Sequence, residues 1–543
     1  MTEHLWYKNA VIYSLDLETF MDGNADGTGD FTGLCSRLDY LHGLGVDTIW
    51  LAPFQPTPNR DNGYDIKDYY GVDPRHGTSG EFVEFMRKAK QLGFKVIIDL
   101  VVNHTSEEHP WFKESRSSRD NPRRNWYVWE EKRPSDWNQG MVFPGVQKST
   151  WTFDKLSRSY YFHRFYEFMP DLNTDNPEVR SEINRIIGYW IQLGVAGFRV
   201  DAVPFILESP AAGKKKPKMN FDYLKEMRSL LQWQRGDAVL LGEANVLPEE
   251  TINYFGEHGE GIHLMFNFFV NQYSFYALAS GDTKPLKAAL EATRDIPAPS
   301  QWANFLRNHD ELDLGRLKEE ERQLVFSRFG PEKNMQLYNR CIRRRLSSML
   351  GNRQQTELAY SLMFSLPGTP VIRYGDEIGM GDDLDLKERD AVRTPMQWTA
   401  EYQAGFSEAE KLVHPVIDKG YYAYEHINVE AQRRDMGSLL NWTAALIRLR
   451  KECPEIGYGD WELLETGFDS ILGMRYSWNG RSLFIWHNFS DKAEELVITE
   501  KKTKAGRLID LMSNIESVVD KKGRHTIILE GHGYRWFRDN SRG

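Results

Sequence analysis

The sequence predicts an α/β fold: a closed (β/α)8 (TIM) barrel with an inserted subdomain after strand 3 and a C-terminal antiparallel β domain. Three observations support this prediction. Short apolar segments alternate with amphipathic helical segments over the first 380 residues, polar residues follow the apolar segments, and the pattern changes near residue 455. Apolar strands alternating with helices are typical of a parallel sheet covered on its outside. A doubly wound open sheet is the structural alternative.

The barrel prediction depends on eight strand candidates rich in β-branched and aromatic residues. The amphipathic segments between them include residues 81–93 and 178–194, each ending on glycine, as helices often do. The strand candidates, in chain order, are Val11–Leu15, Thr48–Leu51, Val96–Val101, Gly197–Val200, Val239–Leu241, His263–Phe266, Trp302–Leu306 and Val371–Tyr374.

The connections between the strands predict the rest of the domain organisation. The barrel takes residues 1–103 and 177–454, and residues 104–176 are too long for a bare loop, so they are expected to form an inserted subdomain B. A second insertion, charged and helical, is expected at about 311–358, after the seventh strand. Residues 455–543 contain short alternating segments punctuated by Gly, Asn and Asp, which indicates a small antiparallel β domain.

Composition excludes several classes of protein. The 543 residues include 68 Lys and Arg against 78 Asp and Glu, a net charge of −10, which argues against a general nucleic-acid binder. No apolar run approaches about 18 residues and no secretory signal is visible, so we expect no membrane span and no export. Three widely spaced cysteines, at positions 35, 341 and 453, indicate reduced thiols in the cytoplasm. The basic segment 210–220 is expected to be a solvated loop.

Polar residues converge where the predicted strands end, which is where active sites lie in barrels of this kind. Singly, each has a structural interpretation as a helix cap, a salt-bridge partner or a buried histidine. Together, three acids, two histidines and an arginine at one end of one barrel indicate a reaction centre. The residues are Asp99, Asn103, His104, Arg199, Asp201, Glu243, His309 and Asp310.

Carboxylates in this arrangement suit the cleavage of a glycosidic bond. The reaction needs a nucleophile or base on one face of the sugar and an acid on the other, around an oxocarbenium-like transition state. Arg199 would keep Asp201 ionised as a nucleophile, whereas burial would raise the pKa of Glu243 toward that of a usable general acid. Asp310 would hold two sugar hydroxyls and so fix a distorted ring.

The segments GVDTIWLAPF, DLVVNHTS, MPDLNTDNP, GFRVDAV, LLGEAN and FLRNHDE resemble the signature regions of the α-amylase family, glycoside hydrolase family 13. The resemblance covers essentially the whole chain. It implies the same barrel with its inserted domain and C-terminal β domain. It also implies a retaining double displacement, with Asp201 as nucleophile, Glu243 as acid/base and Asp310 as transition-state stabiliser.

The resemblance implies a closed substrate pocket as well. By similarity to α-glucosidases, Asp61 and Arg393 would close the pocket around a terminal glucose, and Tyr64 would stack beneath that sugar. Further contacts or walls are implied for His104, Phe143, Phe165, Arg199 and His309. Expected substrates are small α-glucosides such as maltose, trehalose, sucrose or short oligosaccharides. No nucleic-acid or membrane partner is expected, and a homo-oligomer is compatible with the sequence.

Within the family the longer resemblance is to trehalose synthases, through FLRNHDELDL, IRRRLSSML, SLPGTPVIRYGDEIGMGD, RDAVRTPMQW and NVEAQRRDMGSLLNW. It implies isomerisation of maltose and trehalose, which requires the released glucose to stay enclosed until it is attached again. The insertion 311–358 is a candidate cover, and its charge fits a solvated pair of surface helices equally well. Met169 replaces a Gln that many relatives carry, which leaves acceptor and linkage preference open.

Two other functions remain as alternatives. An α-glucosidase or transglucosylase would use the same carboxylates for hydrolysis or for transfer to added acceptors. A non-catalytic, transporter-associated relative would carry a membrane anchor and often lacks the catalytic acids, whereas this sequence has no predicted span and all three acids.

Residues 22–30 predict a structural calcium site. Oxygen donors alternate along this loop, as in calcium loops, although the distal Glu of an EF-hand is missing, and an ion-free Asx-rich turn is the alternative. These donors are Asp22, Asn24, Asp26, Asp30 and the carbonyl of Thr28. The trehalose synthase resemblance implies a second calcium held by Asn103, Asp171 and Glu208. No organic cofactor is expected, because no dinucleotide or phosphate loop follows a strand.

Overall fold

The computed structural model describes residues 3–209, 218–499, 506–513 and 515–539. Eight parallel strands form a closed barrel: β1 Ile12–Leu15, β2 Thr48–Leu51, β3 Lys95–Leu100, β4 Gly197–Val200, β5 Val239–Gly242, β6 Leu264–Phe266, β7 Gln301–Phe305 and β8 Thr369–Arg373. Each strand pairs with its neighbours in chain order, and β1 pairs with β8 to close the barrel. All eight predicted strands are confirmed, with ends shifted by at most two residues. Residues 210–217 of the predicted solvated loop lie outside the described residues.

Helices surround the barrel, and local sequence signals set their ends. Helix Ser79–Gln91 begins with a capping box in which Thr78 and Glu81 bond each other's backbone N–H. Helix Pro177–Gln192 begins with Asn176 as its N-cap and proline at its first position. The other α-helices are Phe31–Ser36, Leu38–Leu44, Pro110–Ser117, Val203–Leu207, Asp222–Gln234, Thr251–Phe255, Phe268–Ser280, Lys284–Ala292, Glu319–Phe329, Leu346–Leu350, Arg353–Ser365, Val429–Arg434, Leu439–Lys451 and Pro454–Tyr458. In the described part of the chain, none of the helices is long and apolar enough to cross a membrane.

The interior of the barrel is filled with side chains. Inward-facing residues of the strands form an apolar cluster that includes Trp50, Phe266 and Phe305. The ring of Phe266 packs 5.4 Å from that of Trp50 and 5.5 Å from that of Phe305, measured between centroids. A larger core lies outside the strands, where the helices cover them. The barrel is therefore a packed scaffold, and function has to be sought at its ends.

The chain between β3 and β4 forms the inserted subdomain that the sequence predicts. It contains helix Pro110–Ser117 and a three-stranded antiparallel sheet. The strands of this sheet are Trp129–Glu130, Trp151–Asp154 and Ser159–Phe162. A bridge between His104 and Asp171 joins the two ends of the segment, so the insertion starts and finishes beside the end of β3.

The segment 311–358 is only partly helical, which corrects the expectation of a helical insertion. Helices Glu319–Phe329 and Leu346–Leu350 are present, and helix Arg353–Ser365 begins before the segment ends. The strands Leu312–Asp313, Gln336–Leu337 and Cys341–Ile342 form a small antiparallel sheet between them. Cys341 and Ile342 are fully buried, so the connection folds back onto the molecule instead of extending into solvent as a helix pair.

The C-terminal region is an antiparallel β structure, as predicted. Its strands are β9 Asp460–Leu464, β10 Ile471–Trp478, β11 Arg481–Asn488, β12 Glu494–Thr499, β13 Arg507–Asp510, β14 Glu516–Val518, β15 Arg524–Leu529 and β16 Tyr534–Asp539. Six strands pair in the order β9-β10-β11-β16-β13-β14, and β12 pairs with β15. Buried hydrogen bonds attach this sheet to helix Arg353–Ser365: Trp536 Nε1 donates to Ser361 Oγ at 2.8 Å, and the Tyr476 hydroxyl donates to the Ser365 carbonyl.

Candidate active site

Two of the predicted catalytic carboxylates meet at the carboxyl ends of β4 and β5, beside one buried arginine. Asp201 directly follows β4, Glu243 directly follows β5, and Arg199 lies within β4. Arg199 Nη1 donates to Asp201 Oδ1 at 2.5 Å and to Asp99 Oδ1 at 3.0 Å. Its Nη2 lies 3.0 Å from Glu243 Oε2. The expectation that Arg199 keeps Asp201 ionised is therefore incomplete. The same guanidinium contacts three carboxylates, so its charge is shared among them.

Asp99 belongs to this group, although the sequence analysis gave it no role beyond its place at a strand end. The Tyr64 hydroxyl donates to Asp99 Oδ2 at 3.1 Å and lies 2.8 Å from His309 Nε2. The rings of Tyr64 and His309 stack with their centroids 5.6 Å apart. Burial raises the pKa of Asp99 to about 7, with Arg199 opposing that rise. Tyr64, which is expected to lie beneath the sugar, is thus fixed by its contacts below the site.

Burial also controls the electrostatics of Asp201 and Glu243. It raises the pKa of both carboxyls, and the positive charge of Arg199 opposes the rise. The nearby charge of Asp310 raises both pKa values further. Glu243 Oε2 also accepts a hydrogen bond from the Ala202 N–H at 3.0 Å. Two neighbouring buried carboxyls disfavour each other's ionisation. One of them can therefore stay protonated and act as the acid while the other is ionised and acts as the nucleophile.

Asp310, in the loop after β7, has a different environment. Its Oδ1 accepts hydrogen bonds from Arg389 at 2.6 Å and from Arg393 at 3.1 Å, and its Oδ2 lies 3.2 Å from His309 Nε2. Burial by itself would raise the pKa of Asp310, but His309 and the two arginines hold it well below its usual range. Asp310 is therefore a fixed, ionised carboxylate in the wall of the site.

These residues line a pocket of about 130 Å³, which we call the inner pocket. His104 Nε2 lies 3.1 Å from the Tyr64 carbonyl oxygen, and burial lowers the pKa of His104 to about 4, so its imidazole is neutral. The His104 ring packs 5.2 Å from that of Phe165. The lining consists of Asp61, Tyr64, His104, Val142, Phe143, Phe165, Met169, Asp201, Glu243, Asp310, Glu311 and Arg389.

Arg389 meets Asp61 at the inner pocket, in addition to the predicted Arg393. Arg389 Nη2 lies 3.6 Å from Asp61 Oδ1, and its Nη1 reaches Asp310. Arg393 donates from Nε to the His309 carbonyl at 2.8 Å and from Nη2 to Asp310 Oδ1 at 3.1 Å, so it supports the loop after β7, and its proposed contact with a terminal glucose stays a prediction. The remaining implied contacts, of His104, Phe143, Phe165, Arg199 and His309, all lie in or directly beneath the pocket wall.

Sequence reasoning missed Arg389 and Glu311. Arg389 is the first residue of RDAVRTPMQW, the same motif that indicates Arg393 as a pocket residue. The sequence therefore contained a signal for Arg389 as well. Glu311 follows Asp310 directly and lines the inner pocket. Its Oε2 is buried without a hydrogen-bond partner among the residues that the structure describes. A buried acceptor of this kind is available to a sugar hydroxyl.

A larger space of about 750 Å³, the outer chamber, opens beyond the inner pocket. Glu243 and Asp310 line both spaces and therefore lie at their junction. The outer chamber is further lined by apolar side chains, including Pro204, Phe205 and Phe221, and by polar groups of Asn245, Arg316 and Arg340. The site thus has a small inner part and a wider part next to it.

The hairpin of segment 311–358 meets the inserted subdomain at this entrance. The ring of Tyr338 packs 5.4 Å from that of Phe143, and Arg340 Nη2 donates to the Val142 carbonyl at 3.2 Å. Tyr338 and Asn339 have φ values of 54° and 58°, so both adopt the left-handed backbone conformation. This conformation is required at the tip of a tight hairpin turn. The contact forms one side of the entrance to the inner pocket.

Met169, the noted departure from relatives, lines the inner pocket and is 1% exposed. An apolar sulfur-containing side chain therefore occupies a position where an amide would offer hydrogen bonds to a sugar. The substitution removes polar recognition at that point of the wall.

The loop 22–30 has the alternating oxygen donors that the sequence indicates. Asp22 accepts hydrogen bonds from three backbone N–H groups of its own loop and from the Ser407 hydroxyl. Asn24 and Asp26 each accept from the N–H two residues further on, and Asp30 caps the following helix. These bonds are compatible with a calcium loop, and they also support an ion-free turn. Calcium at this loop stays a prediction.

The implied second calcium site is only partly assembled. The side chains of Asn103 and Asp171 are hydrogen-bonded to each other, whereas the Glu208 carboxylate pairs with the Arg164 guanidinium and the Arg164 backbone N–H donates to Asp171 Oδ1 at 2.9 Å. Across the described ranges, no three His, Cys, Asp or Glu side chains are grouped so that they could hold a metal ion, either here or in loop 22–30, and calcium at both places stays a prediction.

Comparison with known proteins agrees with this site. Residues 16–459 match the family model described as the alpha amylase catalytic domain, and residues 480–538 match a sucrose hydrolase-like C-terminal domain. The chain belongs to the α-amylase family. Its fold matches the crystal structure of an α-amylase from H. orenii with a TM-score of 0.80 and 27% identity, covering 98% of this chain and 100% of that one.

Similar family members include trehalose synthases. The chain is 40% identical to the trehalose synthase of Thermus thermophilus over 98% of its own length, but it spans only 55% of that relative. It is 38% identical to the trehalose synthase/amylase of Mycobacterium tuberculosis (strain CDC 1551 / Oshkosh), covering 98% of this chain and 90% of the relative. The similarity in the second case therefore extends over nearly the whole of both proteins.

Proposed function

We propose that this α-amylase family enzyme transfers the terminal α-glucosyl unit of small α-glucosides through a covalent glucosyl-enzyme, and that it interconverts maltose and trehalose. The observation that carries the proposal is the inner pocket, a small space with Asp201, Glu243 and Asp310 in its wall. The near full-length similarity to relatives named trehalose synthases supports the specific substrates.

The proposed reaction is retaining, as the resemblance to the α-amylase family implies. Asp201 and Glu243 both contact the guanidinium of Arg199, so the two carboxyls face the same part of the site. Asp201 is proposed to attack the anomeric carbon, and Glu243 to protonate the leaving oxygen and later deprotonate the acceptor hydroxyl.

We propose a place for each sugar, which the division of the site into two spaces supports. Glu243 lies at the junction of the inner pocket and the outer chamber, where the glycosidic oxygen between two sugars would lie. The terminal glucose would occupy the inner pocket, next to Asp201 and above Tyr64. Ionised Asp310 would accept hydrogen bonds from two hydroxyls of that glucose. The second sugar, in the outer chamber, would leave or turn and attack again.

Isomerisation further requires that the released glucose stays near the glucosyl-enzyme while water is kept out. The contact of Tyr338 and Arg340 with Val142 and Phe143 narrows the entrance on one side. We propose that this contact is the cover that holds the leaving glucose.

Hydrolysis or transfer to added acceptors is the second candidate function. The outer chamber, at about 750 Å³, is much larger than the inner pocket and leaves room for water or another acceptor. One relative is named trehalose synthase/amylase, so both activities are attributed to a single similar protein.

The free cysteines among the described residues support the cytoplasmic location that we also propose.

Product analysis by anion-exchange chromatography tests the proposal. The protein is incubated in parallel with maltose, trehalose and sucrose, and with maltose plus isotopically labelled free glucose. We expect trehalose from maltose, maltose from trehalose, little free glucose, and little label in the products because the cover retains the original glucose. Glucose as the main product would indicate a glucosidase. Mixed-linkage or labelled oligosaccharides would indicate a transglucosylase with an open acceptor site.

A further inference from the structure

A second cavity, of about 410 Å³, lies at the end of the barrel opposite the inner pocket. Its lining includes Lys8, which precedes β1, Ser300, which precedes β7, and Pro367, which precedes β8. Residues 456–461, at the junction with the C-terminal sheet, form another wall. Because these residues lie at the amino ends of parallel strands, the packed interior of the barrel separates this cavity, which we call the basal cavity, from the catalytic carboxylates.

Lys8 brings an unpaired positive charge to the basal cavity. Its carbonyl accepts hydrogen bonds from Gln301 and Arg450, which fixes its backbone. Its ammonium has neither a hydrogen bond nor an ion pair with any described residue, and burial lowers the pKa of Lys8 to about 8. Lys8 is half-buried, and a partly desolvated ammonium without a counter-ion would gain from an anion bound beside it.

Ser300 supplies a second unsatisfied group. It is 1% exposed and lines the basal cavity, and its hydroxyl has no hydrogen-bond partner within the described part of the chain. Buried hydroxyls are nearly always hydrogen-bonded to protein or to ordered water, so an unpartnered one in a cavity wall is available to a water or to a ligand atom. Neighbouring polar groups are already used: Gln301 bonds two carbonyls, and Asn304 bonds those of Leu366 and Pro367.

The rim of the cavity has groups that suit a hydroxylated ligand. Trp461 and Tyr458 contribute aromatic surface, and Arg294 lies over the Trp461 ring at 4.7 Å. Asp295 and Asp460 are exposed carboxylates in the lining and can accept hydrogen bonds from hydroxyls. Their negative charge at the rim disfavours a bare anion but not an anion that also offers hydroxyl donors.

We propose that the basal cavity binds a monosaccharide phosphate, with its phosphate against Lys8 and Ser300 and its sugar hydroxyls toward the carboxylates of the rim. The cation and the hydroxyl would satisfy phosphate oxygens, and the aromatic and acidic rim would recognise the sugar. This site is separate from the inner pocket and uses none of its residues.

The proposal also predicts how binding depends on pH. The other charged or titratable groups in the cavity lining are Arg294, Asp295, Asp460 and Tyr458. The pKa of Lys8 is lowered by burial and not by any of these charges. A phosphate monoester becomes a dianion above a pKa of about 6, and Lys8 loses its proton above about 8. Affinity should therefore be highest between these two values and should fall as the pH rises past the pKa of Lys8.

Isothermal titration of the full-length protein with glucose 6-phosphate, inorganic phosphate and glucose tests the site. We expect glucose 6-phosphate to bind more tightly than inorganic phosphate. We expect Lys8→Met to weaken this binding at least tenfold and Ser300→Ala to weaken it several-fold. Lys113→Met, which removes an exposed lysine from helix Pro110–Ser117, is the matched control and should leave the binding unchanged.

Glucose binding in the inner pocket should be the same in all these variants, which separates the two sites. Because Lys8→Met removes an unpaired charge, the variant should fold with a melting temperature no lower than that of the wild type. Unchanged binding of glucose 6-phosphate in both Lys8→Met and Ser300→Ala would overturn the proposal. So would equal affinity for inorganic phosphate and glucose 6-phosphate, or no detectable binding at millimolar concentration.

Discussion

Arg199 shows how a single side chain can set the chemistry of a whole site. It is 1% exposed and contacts Asp99, Asp201 and Glu243, so its one charge is shared among three acids. Since burial raises the pKa of each of these carboxyls, they cannot all be ionised at little cost. Asp310, by contrast, contacts two arginines, of which Arg389 also meets Asp61, and it stays ionised. One arginine for three acids around the reacting pair, against two arginines at Asp310, distinguishes the reacting pair from the positioning acid.

The first prediction concerns the proposed nucleophile. Asp201→Asn should lower turnover of maltose at least about 10³-fold, which corresponds to about 4 kcal/mol of transition-state stabilisation. The amide has nearly the same volume and can still accept from Arg199, so the melting temperature should change little. Initial rates and a melting curve check both parts. A variant with near wild-type rates would mean that another group is the nucleophile.

The second prediction concerns Glu377, which is fully buried and accepts hydrogen bonds from the hydroxyls of Tyr13 and Tyr40, each at 2.6 Å. Burial raises the pKa of Glu377 from 4.5 to about 7. Between these values the folded protein binds the proton more strongly than the unfolded chain, so Glu377 lowers stability as the pH rises through this window. Glu377→Gln cannot ionise and should lack that loss, which amounts to about 3 kcal/mol.

Free energies of unfolding of wild type and Glu377→Gln, measured at about pH 5 and about pH 8, test this. The difference between the two proteins should shift in favour of the variant at the higher pH. A parallel pH dependence of the two proteins would show that Glu377 does not carry the buried proton.

Residues near one another in sequence were easier to place in the site than residues brought together by the fold. Arg199 and Asp201 lie on one strand and its end, so their contact follows from β geometry. Arg389 acts through Asp61 and Asp310, which are distant in the chain. An arginine in a charged loop looks the same in sequence whether it is solvated or fully paired. Only the folded structure shows that Arg389 pairs with Asp61 and Asp310.

At the level of secondary-structure elements, the hairpin of strands Gln336–Leu337 and Cys341–Ile342 is the part on which isomerisation is proposed to depend. Tyr338→Ala would remove the ring that packs on Phe143 and open the entrance. We expect more free glucose per trehalose formed, by several-fold, and more incorporation of labelled glucose, with maltose consumption changed less. Leu324→Ala, on the exposed side of helix Glu319–Phe329, is the control. An unchanged product ratio in Tyr338→Ala would rule out the hairpin as the cover.

The loop 22–30 gives a prediction about metal content. If calcium binds there, chelation should lower the melting temperature by mass action without directly removing a catalytic group. Asp26 is exposed, so Asp26→Ala should abolish calcium binding with little direct effect on packing. Elemental analysis of both proteins, with melting curves before and after chelation, measures this. Metal-free wild-type protein with an unchanged melting curve would leave the Asx-rich turn as the correct interpretation.

The barrel strands were predictable because each is a short, continuously buried run whose pattern does not depend on distant residues. Segment 311–358 was not, since its charged helix Glu319–Phe329 suggested helix throughout. The strands around it are two residues long and are stabilised by antiparallel pairing and by the burial of Ile342. Elements that short have no periodicity to detect, so tertiary contacts decide their conformation.

For the whole molecule, the larger core includes residues of the barrel helices together with Leu472, Met474 and Trp536 of the C-terminal sheet. We therefore expect the two regions to unfold in one cooperative transition. Trp536→Ala should lower the stability of both, by about 3–5 kcal/mol, because it leaves a large cavity in the shared core. Calorimetry and near-ultraviolet circular dichroism follow the transition. Trp233→Ala, at a position 91% exposed, is the control.

Two separate transitions in the wild type, or a loss in Trp536→Ala confined to one of them, would show that the sheet folds independently. The arrangement of these regions was accessible from the sequence as a change of pattern near residue 455. The hydrogen bonds that join them were not, because Ser361, Ser365 and Tyr476 carry no motif and are defined only by the interface.

The packed interior of the barrel has a further consequence for the order of events. Trp50, Phe266 and Phe305 fill the interior of the barrel and block any path through it. Sugars therefore enter and leave the inner pocket by the same opening. The terminal sugar must enter first and exit last, and whatever sits in the outer chamber stands in its way. Free glucose that accumulates in the outer chamber would block this opening. It would slow the exchange of sugars in the inner pocket and favour its own reattachment to the glucosyl unit. The rate at which sugars pass through this single opening, as much as the chemistry of the carboxylates, would then determine the ratio of products.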